Sequence, residues 1–334
     1  MHVRFAQVEP TTRCNYTCGF CVGRHMPQQD ITIETFTHFI ARVEGLEAIE
    51  LQGEGEPLLH PDFFELIRIA REKFPQVEIS MISNGSMFTK EIVERILDAN
   101  IAHIYVSAES VDDADFQRIR GGKLERVRRG IRHLLAQRKA RNLTRPLVGL
   151  SITALRSTVK ELPEKIPLFY RSLDLDGGIN IQPLQVMPQY TPVYDDAMRQ
   201  ELIDQPASML LQQAFRTSEP LRNAMNEATG ATHPGFYPRL YGSVDGRFFC
   251  PWLENGIYIS TQGQVMPCCH VKNYDKDTLG EIQTDEQEIN AQRIAMKHAL
   301  HQGIIPSACQ GCSVATTVTQ NIKKVRALQA RQSK

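Results

Sequence analysis

The sequence predicts an α/β fold: a parallel sheet of six βα units curved into a partial barrel, followed by a small cysteine-bearing domain. Three observations predict it. Short apolar segments alternate with helical ones from residue 3 to about 195. That rhythm then breaks over a stretch rich in Pro, Gly and Tyr. Eight cysteines fall into two groups, with none between Cys21 and Cys250. The expected organisation is a barrel over residues 1–195, a bridging segment over 196–247, and a second domain over 248–334.

The elements follow in order. VRFAQV (3–8) is the first expected strand and residues 33–43 the first helix. AIELQ (48–52) is a strand, followed by the helix DFFELIRIAREK (62–73). VEISMI (77–82) precedes a helix over 90–98. HIYVS (103–107) precedes a basic amphipathic helix over 124–139. VGLSITA (148–154) precedes a helix over 163–173, and GINIQ (178–182) is the sixth strand. Each crossover is long enough for a helix, and parallel strands require such crossovers. The bridge carries ELIDQPASMLLQQAF, expected to be helical, and THPGFYPRLYGSVDG. Beyond it come an expected hairpin, IYISTQGQVMPC (257–268), a helix over 285–301, a CQGC pair and a basic terminal helix.

Composition narrows the function classes. Lys and Arg number 38 and balance 38 Asp and Glu, so no basic excess points to nucleic acid. No signal-like region and no run of about 18 apolar residues is present. A cytoplasmic protein is expected, or an organellar one in a eukaryote.

The stretch RCNYTCGFC places Cys14, Cys18 and Cys21 within eight residues. Three thiols are one short of a structural zinc site, unless His25 completes it. Disulfides are a further alternative, disfavoured in a large chain without a secretory signal. Three thiolates on a four-iron cluster instead leave one iron open to an outside ligand. CNYTCGFC resembles the CxxxCxxC motif of the radical S-adenosylmethionine (SAM) enzymes. That resemblance implies a partial (β/α)6 barrel and a [4Fe–4S] cluster whose open iron binds the amino and carboxylate groups of SAM. It further implies reductive cleavage to a 5′-deoxyadenosyl radical, and a low-potential donor such as flavodoxin or ferredoxin.

Other segments resemble the family's SAM contacts. GEGEP, with Gly53, Gly55, Glu56 and Pro57, fits a GxGEP variant of the family's glycine-glycine-glutamate-proline loop. Glu54 stands where the family has its first glycine. Independently, glycine permits close backbone approach, and carboxylates and carbonyls accept from an ammonium. Ser83 and Asn84 end the third strand. Ser107 and Glu109 follow the fourth and are candidates for a ribose hydroxyl. FQRIRGGKLERV (116–127) resembles a family helix, with Arg120 meeting a carboxylate or holding a loop. Phe20 resembles a residue near the adenine, with local packing as the alternative.

The second thiol group reads C-x12-G-x4-C from Cys250 to Cys268, then CxxC at Cys309 and Cys312. Four cysteines can hold zinc. The spacing resembles the SPASM domain and its shortened twitch form, as do VMPCC (265–269) and LGEI (279–282). The resemblance implies one auxiliary [4Fe–4S] cluster on Cys250, Cys268, Cys309 and Cys312, saturated and acting as an electron relay. Cys269 is left over as a buried thiol, an alternative ligand, or a hydrogen-atom donor as in epimerising relatives. Hairpin alternation is expected to send Cys268 and Cys269 to opposite faces. Trp252 packs over a cluster, a substrate or the core.

Substrate candidates are Thr153, Arg156, Gln182, Gln185, Tyr190, Asp195 and Tyr237, with His233, His270 and Asp195 as weak bases. Thirteen residues precede Cys14, which is read as leaving no room for a leader-binding domain. The expected reaction is therefore oxidation or epimerisation of a small polar metabolite of sugar or aminocyclitol type. Modification of a ribosomally made peptide or a protein side chain is the alternative. A non-enzymatic electron-transfer or assembly protein is the other.

Overall fold

A computed structural model describes residues 1–231, 243, 244 and 247–332. The strands are β1 (Phe5–Val8), β2 (Ala48–Leu51), β3 (Glu78–Ser83), β4 (His103–Ser107), β5 (Leu147–Ala154) and β6 (Ile179–Pro183). The helices between them are α1 (Ile33–Arg42), α2 (Phe63–Lys73), α3 (Lys90–Asp98), α4 (Asp113–Arg120), α5 (Leu124–Ala140) and α6 (Leu162–Ser172). All six strands run parallel in sequence order, so the expected six βα units are present. Side chains start several of the helices. Thr32, Thr89 and Asp112 each accept from a backbone N–H of the first turn, satisfying donors that a helix end leaves open.

One expected helix divides. Residues 116–127 form the end of α4 and the start of α5, broken at Gly121, which adopts φ +71°. A left-handed residue terminates a helix, and glycine does so without a Cβ clash.

Beyond β6 come α7 (Asp196–Gln200), α8 (Gln205–Thr217) and α9 (Glu219–Ala231), then the short strands β7 (Ser243–Val244) and β8 (Arg247–Phe248), which pair with each other. Next are α10 (Pro251–Asn255), the hairpin β9 (Gly256–Ile259) and β10 (Gln264–Met266), and β11 (Gly280–Glu281). The chain ends in α11 (Glu286–His301) and α12 (Ser313–Gln332).

The hairpin is not a separate layer. Strand β9 pairs in parallel with β1, from Phe5 opposite Gly256 to Val8 opposite Ile259. Among the described residues, nine strands thus form one mixed sheet in the order β11-β10-β9-β1-β2-β3-β4-β5-β6. The residues of β1, β2 and β9 are all buried, as expected of parallel strands covered on both faces. Arg42 ties α1 to the same hairpin by donating to the carbonyls of Ile282 and Thr284 at 2.6 and 2.7 Å.

The Phe5 ring meets Trp252 edge to face, centroids 4.9 Å apart. A Cβ on Gly256 would fall 2.2 Å from the Phe5 ring. Gly256→Val is therefore expected to destabilise the fold by about 1–3 kcal/mol through overpacking, read as a lowered unfolding midpoint.

Candidate active site

The loop between β1 and α1 carries Cys14, Cys18 and Cys21. It is held from three sides. Thr17 N donates to the Arg120 carbonyl at 3.0 Å. Asn84 Nδ2 lies 3.8 Å from Cys14 Sγ and donates to Asn15 Oδ1 at 2.8 Å. Cys21 Sγ lies 3.5 Å from the Glu54 carbonyl and 3.7 Å from its Oε2. Burial pushes the Cys14 thiol up, Cys18 to about 11 and Cys21 well up, with neighbouring cysteines among the further causes for Cys18 and Cys21. Thiols in such a place keep their protons unless a metal replaces them. His25 is exposed at the end of the short turn Val22–His25.

GEGEP lies directly beneath this loop. A Cβ on Gly55 would fall 2.4 Å from the Thr11 carbonyl and 2.5 Å from that of Arg13, so only glycine allows this approach. Gly53 packs equally closely on the Glu9 carboxylate. Buried Glu56 accepts from Ser83 Oγ at 2.8 Å and Asn84 N at 2.7 Å. It thereby fastens the β3 end to the loop, with Pro57 opening the turn Pro57–Leu59. Arg120 donates from Nη1 to Glu109 Oε2 at 2.5 Å, both side chains buried. Arg120 is thus paired with an internal carboxylate, and its backbone carbonyl holds the thiol loop through Thr17. Glu109 is engaged here, while Ser107 stays half-buried at the end of β4. Phe20 packs against both the main core and a second cluster containing Tyr190, Tyr194 and Met198.

The second thiol group surrounds a small cavity of about 50 Å³. Cys250, Cys268, Cys309 and Cys312 line it, with Met187, Trp252, Leu300 and Ala308 among the apolar walls. Packing pushes Cys250 up to about 11 and Cys309 to about 12, with mutual repulsion among these thiols a secondary cause. Cys268 and Cys269 lie in the turn beyond β10, so strand alternation does not govern them. Their surroundings still differ: Cys268 lines the cavity, while Cys269 faces the charges of Lys272, Glu50 and Glu54.

Among the described residues, no group of three or more His, Cys, Asp or Glu is arranged for a single metal ion. Both thiol sets nevertheless fit an iron–sulfur group by donor chemistry. Each gathers soft ligands at one place, the first beside an Arg120 guanidinium whose Nε has no hydrogen-bond partner among the described residues. The second surrounds an otherwise apolar cavity.

Of the substrate candidates among the described residues, buried Tyr190 lies in this region, near Lys272, Glu54 and Cys269. Arg156 is paired with Asp204 at 3.1 Å. Asp195 is an exposed N-cap. Gln182 is exposed, Thr153 half-buried, and the Gln185 carbonyl accepts from Tyr194 OH at 3.1 Å. His270 lines the cavity beside Lys272, and its carbonyl accepts from Gln189 Nε2 at 2.9 Å. His233 and Tyr237 lie outside the described residues.

Sequence reasoning missed four residues. Lys272 Nζ lies 2.7 Å from Glu54 Oε1. Glu9 Oε1 accepts from Glu54 N at 2.8 Å, and Tyr274 OH donates to Glu9 Oε2 at 3.2 Å. Glu50 is buried inside β2, and burial pushes its carboxyl up to about 8. An acid inside an apolar strand, as in AIEL or QVE, is the signal that could have found Glu50 and Glu9.

Two outcomes follow. Arg120→Met strands the buried Glu109 carboxylate and is expected to cost about 3–5 kcal/mol. Adding Glu109→Gln should recover much of this, as read by thermal unfolding. For Glu50, the folded value lies above the ordinary carboxyl value, so the folded state holds the proton more tightly. Its stabilisation is full below the ordinary value and is lost as pH rises through about 8. The Tm advantage of Glu50→Gln over the native protein should therefore grow between pH 6 and 9.

Comparison with known proteins agrees with this geometry. Residues 8–154 match the radical SAM superfamily. The tungsten-containing aldehyde ferredoxin oxidoreductase cofactor-modifying protein of Pyrococcus furiosus is 24% identical over 276 residues, covering 80% of this chain and 71% of that one. The fold is similar to Streptococcus suis SuiB bound to precursor peptide SuiA, with TM-score 0.65 and 14% identity. That match covers 86% of this chain, which spans only 64% of SuiB. It is also similar to anSMEcpe with bound AdoMet and Cp18Cys peptide, with TM-score 0.64 and 15% identity over 99% of this chain and 100% of that one. Residues 8–154 thus carry the match to the radical SAM superfamily, and the chain shares the fold of SuiB and anSMEcpe.

Proposed function

We propose that this protein is a radical SAM enzyme acting on a peptide or protein side chain. The observation that carries the chemistry is the three-thiol loop seated on Gly55 and fastened through Glu56 to Ser83 and Asn84. The substrate class draws on two proteins of the same fold, SuiB and anSMEcpe, whose structures hold peptides. A small polar metabolite is the second reading, favoured by exposed Gln182 at the end of β6.

A four-iron cluster on Cys14, Cys18 and Cys21 would supply an open iron for the amino and carboxylate groups of SAM and the electron for its cleavage. Asn84 and Arg120 orient the loop around those thiols, and Gly55 keeps the loop low enough for a ligand to lie above it. Phe20, Gly53, Pro57 and Ser107 are assigned to the walls of the SAM pocket. Glu109 acts through Arg120. The four cavity thiols would hold a second, saturated cluster, which supplies electron transfer only.

Cys269 is assigned as hydrogen-atom donor in an epimerising reaction. Packing pushes its thiol up to about 12, so it keeps its hydrogen at neutral pH. Donation breaks S–H and forms C–H. The thiyl radical then takes one electron from a low-potential iron–sulfur or flavin donor and one proton to regain the thiol.

Anaerobic reconstitution should give about eight irons per chain, four per cluster, and 5′-deoxyadenosine on reduction with SAM. Replacing Cys14, Cys18 or Cys21 by Ala should abolish that product. Cys309→Ala should spare uncoupled cleavage and block substrate conversion. Absence of 5′-deoxyadenosine with both clusters intact supports a non-enzymatic electron carrier instead. Deuterium transferred to 5′-deoxyadenosine from labelled peptides, and not from labelled sugars or aminocyclitols, separates the two substrate readings.

A further inference from the structure

Glu54 interrupts the glycine loop under the thiols, and its partner comes from the far end of the chain. Its two carboxylate oxygens face different ways. Oε2 stands 3.7 Å from Cys21 Sγ, while Oε1 pairs with Lys272 Nζ at 2.7 Å. The lysine follows the Cys268–Cys269 turn by three residues, and its side chain is 3% exposed. Its ammonium also lies 4.9 Å from the centre of the Tyr258 ring, over its face. Tyr258 is fully buried, and its hydroxyl is 3.1 Å from that of Tyr274.

A carboxylate this close to a cluster thiolate is an electrostatic problem. Adding an electron to a cluster on three thiolates makes the site one unit more negative. An uncompensated Glu54 would oppose that electron strongly, because charges interact more strongly in a poorly solvated interior. Lys272 supplies the opposite charge. Burial is the largest single influence against its charge, yet the Glu54 carboxylate holds it above the ordinary lysine value. Glu9 is the second carboxyl of the cluster, and burial pushes it toward its neutral form.

We propose that Lys272 is a charge-compensating residue through which the auxiliary segment sets the reduction potential of the cluster at Cys14, Cys18 and Cys21, by neutralising Glu54 beside Cys21. It acts through Glu54 and is a positioning residue rather than a catalytic one. The inference rests on the reading that these three cysteines hold the cluster.

The test is a redox titration of the full reconstituted chain, followed by electron paramagnetic resonance. The SAM-perturbed signal identifies the N-terminal cluster. Lys272→Met should shift its midpoint to more negative potential, and Lys272→Arg should stay near the native value. Glu54→Gln should shift the midpoint upward, and the double variant, which lacks both charges, should lie between the two single variants near the native value. Glu54→Gln keeps the test decisive should Lys272→Met fold poorly. Unchanged midpoints in Glu54→Gln, or an upward shift in Lys272→Met, overturn the inference while the SAM-perturbed signal leaves the cluster reading intact. A native protein with no SAM-perturbed signal overturns the cluster reading itself, and this inference with it.

Discussion

The parallel pairing of β9 with β1 governs where the chemistry can be. It brings a segment some 250 residues distant in sequence into the barrel sheet, with Glu9 N donating to the Ile259 carbonyl at 2.9 Å. In parallel sheets the loops that bind ligands gather beyond the carboxyl ends of the strands. Here three adjacent ends, those of β9, β1 and β2, deliver Thr261, Glu9 and Glu54. Gln29, just past the thiol loop, donates to Thr261 Oγ1 at 2.8 Å. The two thiol groups therefore share one framework, and a shift of the hairpin is felt at Cys21.

Buried charge is the second organising feature. The Arg120–Glu109 pair lies under one side of the thiol loop and Lys272–Glu54 under the other. Buried pairs stabilise little compared with apolar packing, but removing one partner is costly. Their value here is geometric: each fixes a loop against a strand end that periodic packing alone does not reach.

Much of this was legible in the sequence because it is periodic or local. The strand HIYVS and the helix over 90–98 fall where alternation and a Thr89 cap put them. The thiol spacing is local too, and so was the grouping of four C-terminal cysteines around one cavity. What was not legible depends on long-range register. Nothing near Lys272 announces Glu54, more than 200 residues away. The break at Gly121 was visible as two glycines, yet its meaning as the support of Thr17 and Tyr16 required the fold. Cys268 and Cys269 do differ in surroundings, as expected, but in a turn beyond β10 rather than by strand alternation. Of the polar residues singled out beyond the barrel strands, Arg156 is held in an ion pair with Asp204 and Asp195 caps a helix.

The β1–β9 pairing also has a consequence for synthesis of the chain. A ribosome releases β1 first, and its outer edge has no partner until residue 259 has emerged. At about 5–20 residues per second this interval is on the order of 10–50 seconds. Strands β2 to β6 can assemble on the other side meanwhile, since each is close to its neighbour in sequence. The thiol loop thus stands beside an open sheet edge throughout translation of the barrel. The iron and sulfide proposed above for Cys14, Cys18 and Cys21 would thus meet a more open site in the nascent chain than in the finished protein, where Cys18 is buried.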